Sequence, residues 1–182
     1  MQNRSGIRIQ CLAALCAAVN ILGSFLALGL RLPVYLDSLG TVWMAGMFGP
    51  FYGSLTGIIS NVVNGIAFDV YSFYYIPVQI VTACMTSLIV KKGWNKGRKI
   101  LYGTLLVSLP VSLTGALITA GVFGGITSSG SSYLVGLFHT LGMNLTLACF
   151  LVQAITDYID KGLVIFIAGV VFHRIKLYRY VE

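Results

Sequence analysis

Residues 36–66 read LDSLGTVWMAGMFGPFYGSLTGIISNVVNGI, and how this stretch folds decides the rest. At its middle stands Gly49-Pro50, a turn signal, because proline lacks a backbone donor and suits the first turn of a new helix. The flanks are apolar or small, so the stretch predicts two helices folded back on each other, one starting near Asp37 and one running to about Ala67. The first is short for a full membrane crossing, which predicts a helix that tilts or leans on its neighbours. Along the second, Gly49, Gly53, Gly57, Asn61 and Gly65 recur every four residues. That spacing places them on one helix face, where small side chains let another backbone come close. Asn61 and Asn64 add amides that need partners in an apolar setting, either as bridges between helices or as contacts to a ligand.

Outward from this hairpin, the composition predicts a polytopic membrane protein. The chain has 182 residues, 57% hydrophobic and 9% charged, where a soluble domain carries roughly a quarter charged residues. Its length fits one domain, 1–182, with no room for a soluble catalytic unit. The net charge of +7 does not read as a nucleic-acid footprint, because the basic residues flank apolar runs. Arg4 and Arg8 lie at the start, Lys91, Lys92, Lys96, Arg98 and Lys99 in the middle, and Arg174, Lys176 and Arg179 at the end. By the positive-inside rule these mark the cytoplasmic side, with both termini inside. Cys11, Cys16, Cys84 and Cys149 sit in apolar segments without a CxxC pair and read as small buried hydrophobes. The basic-then-apolar start resembles a signal peptide, but no A-x-A site follows and Leu15 precedes Cys16. An uncleaved first helix is expected.

That first helix spans about residues 7–30 and carries two alanine pairs four apart, Ala13 with Ala17 and Ala14 with Ala18. The pairs read as a face for close helix packing, inside the bundle or against a partner. An outer loop with Pro33 leads into the hairpin. A second outer loop holds Asp69 and the aromatics Tyr71, Phe73, Tyr74 and Tyr75, which suit an interfacial belt or a lid that stacks on a planar ligand. A helix with Pro77 descends to Lys91-Lys92, and a basic link leads to a helix over 100–122 that contains Pro110.

Beyond it, GVFGGITSSGSSY (121–133) reads as a flexible Gly/Ser loop. Apolar stretch 133–156, polar DYIDKG (157–162) and a last apolar run follow. Two spans here would leave the C-terminal basic residues outside. Either 133–156 is the sixth span and the tail lies along the inner surface, or it is a partial or re-entrant segment and the sixth span covers 157–177. The second layout is preferred, because buried re-entrant backbone is tolerated. It places Asp37, Asp69, Asp157 and Asp160, with Lys161, at span ends on the outer face, with Glu182 inside, which suggests a site open to that face. No enzyme is expected: His139 and His173 lack further ligands at metal spacing, no Walker motif occurs, and serine and aspartate occur without a histidine base beside them. Neither a metal nor a cofactor is expected.

Together these features resemble the substrate-binding S components of energy-coupling factor (ECF) transporters, which are ABC-type vitamin importers. The resemblance runs over nearly the whole chain: the A-x-x-x-A first helix, the L-D-x-x-G-T…G-P-x-x-G segment (36–66), YYIP with its basic link, and DYIDKGLVIFIAGVVFHR as the last helix. It implies six membrane helices in a bacterial cell membrane. The face of Ala13, Ala14, Ala17 and Ala18 would dock on a transmembrane T subunit that carries two ATPase subunits. The chain itself would capture a micronutrient at its outer face and topple to release it. Loops 31–37, 67–75 and 121–133 would form lid and pocket walls, giving as ligand-site candidates Tyr35, Asp37, Asn61, Asn64, Asp69, Tyr71, Phe73, Tyr74, Tyr75, Asp157, Asp160 and Lys161. Four aspartates against Arg31 and Lys161 favour a neutral or cationic ligand. The pattern is closest to the cobalamin-type branch, which implies cobalamin. Pantothenate, pyridoxine, hydroxymethylpyrimidine or a queuosine precursor are the alternatives within the family, and a non-transporting assembly subunit or an autonomous facilitator the alternatives outside it.

Overall fold

The computed structural model describes residues 2–174, with side chains for residues 6–170. The side chains of Arg4, His173 and Arg174, and all of Lys176, Arg179 and Glu182, lie outside the described residues. Every regular element among the described residues is helical: α1 (Gln2–Gly29), α2 (Leu39–Phe48), α3 (Pro50–Ala67), α4 (Tyr71–Tyr74), α5 (Ile76–Lys91), α6 (Lys99–Phe123), α7 (Ser132–Thr140) and α8 (Leu145–Arg174). Two of them are long and apolar enough to cross a membrane, α1 over Gly6–Gly29 and α6.

The hairpin forms where the sequence predicts it. Gly49 takes φ +88, a left-handed conformation that glycine adopts without strain, and Pro50 opens α3. The stripe of small residues then sets the packing. Gly53 faces Ala45 of α2, Gly57 faces Gln79 of α5 and Thr41 of α2, and Gly65 faces the ring of Phe73. α2 starts at Leu39, close to Asp37 as predicted, and has only 10 residues, about 15 Å at 1.5 Å per residue. It sits at the centre of the bundle, against α1, α3, α5 and α8, while α6 lies along α8.

The last third departs from both predicted layouts. Stretch 133–156 is neither a sixth span nor a separate re-entrant segment, and 157–162 is not an outer link. A short helix, α7, is followed by a break at Gly142 (φ +91). The break is invisible as a loop because it is only a few residues long. Asn144 then caps the next helix, its side-chain oxygen accepting from the Thr146 N–H at 3.0 Å. From there α8 runs for 30 residues without interruption, carrying Asp157, Asp160 and Lys161 in its middle instead of at a span end. Smaller corrections are that the aromatic run contains the single turn α4, and that the Gly/Ser loop begins only after Phe123.

Many polar side chains are buried inside this bundle, and rows of leucine and isoleucine face outward. Asn20, Thr41, Ser60, Asn61 and Gln79 are buried, whereas Leu101, Leu105, Leu109, Leu113 and Leu117, every fourth residue of α6, are exposed. On α8 the exposed row is Leu147, Leu151, Ile155, Ile159 and Leu163.

Candidate functional site

Asn20 on α1 begins the polar interior. Its side-chain oxygen accepts from the Gly40 N–H at 2.6 Å, and its amide donates to Thr41 at 2.9 Å and Ser60 at 3.3 Å. Such closeness requires Gly40, since a Cβ there would run into the Cys16 carbonyl. Thr41 donates to Gln79 Oε1 at 2.8 Å, and Gln79 Nε2 donates to Asp37 Oδ2 at 2.9 Å. A chain of hydrogen bonds thus fixes the start of α2 and presents Asp37 to the bundle centre.

There Asp37 meets the middle of α8. Lys161 Nζ donates to Asp160 Oδ2 and to Ser38 Oγ, both at 2.7 Å, and lies 3.9 Å from Asp37 Oδ1. The second oxygen of Asp160 accepts the Leu36 N–H at 3.0 Å. Loop 30–38 therefore descends until its backbone and two of its side chains are tied to α8. This explains how α8 passes Asp160 and Lys161 through its middle: charges out of water persist when paired and hydrogen-bonded, and besides each other their partners Leu36 and Ser38 arrive from more than 120 residues away in sequence. Burial pushes the Asp37 carboxyl above its ordinary value, with Lys161 pulling the other way. Burial also raises the Tyr35 phenol to about 12.

Above this cluster lies a cavity of about 60 Å³. Its charged lining is Asp37, Asp69, Asp157 and Lys161, its aromatic lining Tyr35 and Tyr75, and Asn61 and Gln153 add amides. Asp157 Oδ2 accepts from Ser112 of α6 at 2.8 Å. Gln153 Nε2 donates to Thr119 at 2.7 Å, and Thr119 is also hydrogen-bonded to the Tyr75 hydroxyl. The roof comes from three connections. Ser128 of the Gly/Ser loop donates to Asp69 Oδ2 at 2.9 Å, Arg31 donates to the Tyr133 hydroxyl at 3.1 Å, and Tyr35 meets Ser131 at 3.5 Å.

Of the residues the sequence singles out, the structure brings Tyr35, Asp37, Asn61, Asp69, Tyr75, Asp157 and Lys161 to this cavity. Asp160 lies beneath it as the partner of Lys161. The others are elsewhere: Asn64 is buried with its side-chain oxygen unpaired, Tyr71 and Tyr74 pack edge-on against Phe123, and Phe73 covers Gly65. Gln153, Ser112, Thr119 and Gln79 were not singled out. Gln153 stands four residues before Asp157, so a continuous helix would have put both on one face; reading residues 153 and 157 as belonging to different segments hid that.

The alanine pairs separate. Ala13 and Ala17 are buried, Ala13 in a small core with Cys16 and Met44. Ala14 and Ala18 are exposed, and all four alanines line a surface groove flanked by Tyr52, Leu55 and Ile59 of α3. No protein-family description matches this chain, and no curated protein or solved structure is significantly similar to it.

Proposed function

We propose that this chain is a multi-span membrane subunit that captures a small molecule from outside the cell and hands it inward, as the S component of an ECF-type importer does. The observation that carries the reading is the convergence of loop 30–38, the α3–α4 turn and the Gly/Ser loop over one cavity whose floor is charged. Charged side chains in the middle of an apolar bundle are costly and mark a site by default. Helices with apolar outer rows and a polar interior suit a lipid surround, because a bilayer rewards exposed leucine and leaves buried amides to pair with each other. The three roof contacts tie loops to each other or to the first turn of α7 by single hydrogen bonds, which suits a lid that opens.

Energy for release belongs to partners in this reading, a T subunit with two ATPases. The groove over Ala14 and Ala18 is their docking face: its floor is small enough for a helix backbone to approach and its walls are apolar. Ala13 and Ala17, more deeply buried, line the same groove and complete that face. As for the ligand, pockets for drug-sized molecules measure roughly 300–1,000 Å³, far above the approximately 60 Å³ of this cavity. Among the family's ligands this supports a compact vitamin or precursor over cobalamin, which would require the roof and walls to part widely.

The test separates capture from delivery. Ala14→Leu with Ala18→Leu should abolish uptake by cells that hold the complete transporter and leave ligand binding by the purified chain within about twofold. Loss of binding, or unchanged uptake, would contradict the assignment of this face to docking.

A further inference from the structure

We infer that the cavity takes a compact organic cation whose N–H groups donate to Gln153, Asp157 and Asp69. The inference rests on the capture reading above and names the chemistry of what is captured. It begins with an unpaired acceptor. Gln153 lines the cavity and is only 4% exposed, its amide nitrogen is engaged by Thr119, and its buried Oε1 has no partner. Any side chain at Gly115 would strike that oxygen, so the bare α-carbon makes room for Gln153 to stand beside the cavity, which Gly115 also lines. A buried acceptor left unpaired is unfavourable, and a donor on a ligand would satisfy it.

The charged groups point the same way. The lining carries three carboxylates against one ammonium, a formal surplus of two negative charges. Lys161 is unavailable to an anion, since its donors are directed to Asp160, Ser38 and Asp37. Asp157 and Asp69 each use Oδ2 for hydroxyl partners, Ser112 for the one and Ser72 and Ser128 for the other. Their Oδ1 atoms are not engaged in those bonds. Gln153 and Asp157 stand four apart on α8 and so present two acceptors on one face. The rings of Tyr35 and Tyr75, 6.5 Å apart, add a wall whose faces attract a cation. A metal ion is a poor match, because no three of the described His, Cys, Asp and Glu side chains gather as a ligand set.

The test uses ring-matched probes of different charge on the chain in lipid nanodiscs near neutral pH: pyridoxamine, pyridoxine and 4-pyridoxate, then benzamidinium, benzamide and benzoate. Calorimetry should show each cation bound on the order of tenfold more tightly than its neutral counterpart, and each anion most weakly. Asp157→Asn should remove most of that preference while leaving neutral probes within about twofold. Asp69→Asn, nearer the surface and outside the Lys161 cluster, should remove part of it. An anion or neutral probe that binds tightest overturns the cation inference and leaves the capture reading standing, as does a preference intact in both variants. If no probe binds and the purified chain carries no small molecule, both readings fall. If no probe binds but a co-purified molecule is present, its formal charge decides, and a neutral or anionic one contradicts the inference.

Discussion

Lys161 shows how a single residue can be read wrongly from its neighbours and rightly from its partners. In sequence it belongs to DYIDKG, a polar patch between apolar runs. In the fold it is 3% exposed and holds Ser38 and Asp160 at 2.7 Å. Removing one partner of such a buried pair costs about 3–5 kcal/mol, because the other charge is left uncompensated. Lys161→Met should therefore lower the thermal midpoint in detergent sharply, and adding Asp160→Asn should recover much of the loss. A midpoint unchanged by Lys161→Met would mean the ammonium is solvated. Gly40 makes a steric argument of the same kind. Gly40→Ala places a methyl on the Cys16 carbonyl, and overpacking of that sort costs about 1–3 kcal/mol. A melt shifted by less than the error of the measurement would contradict the close approach of α1 and α2.

Among the elements, α3 and α8 mark the limits of what is legible in the sequence. α3 begins at the proline and ends where expected because its signals are local: a turn dipeptide, a period of four in small residues, and apolar residues between. α8 was divided in the wrong place because hydropathy falls at Asp157–Lys161, and nothing nearby shows that Leu36 and Ser38 will satisfy those charges. The true break, at Gly142, rests on one left-handed glycine and an asparagine cap. Seven of the cavity's twenty lining residues were legible, chiefly as aspartates and tyrosines near predicted loops, while Gln153 required α8 to be continuous. Cysteine scanning tests the helix directly. In a background without the four native cysteines, residues 151, 155, 159 and 163 should resist a membrane-impermeant maleimide, while a cysteine at Ile126, 71% exposed in the Gly/Ser loop, should react. Rapid labelling at 155 or 159 would restore the outer link.

For the molecule as a whole, the account joins a polar interior, an apolar exterior and a roofed cavity into one device. Loop 30–38 is its hinge point in the sense of position, since it touches the roof through Arg31 and Tyr35 and the charged floor through Leu36, Asp37 and Ser38. Opening the roof and loosening the floor are thereby coupled through a few residues. Arg31→Ala, at an exposed contact, should change stability by no more than about 1 kcal/mol yet speed ligand exchange in stopped-flow binding. Equal exchange rates would remove that contact from the lid. The central claim is that the chain by itself encloses a small molecule, and native mass spectrometry of the purified chain, released gently from detergent, tests it most directly. The account predicts an adduct of one small organic molecule per chain that is lost in Asp157→Asn. A chain that is bare as purified, and stays bare after incubation with candidate vitamins of every charge, would contradict it.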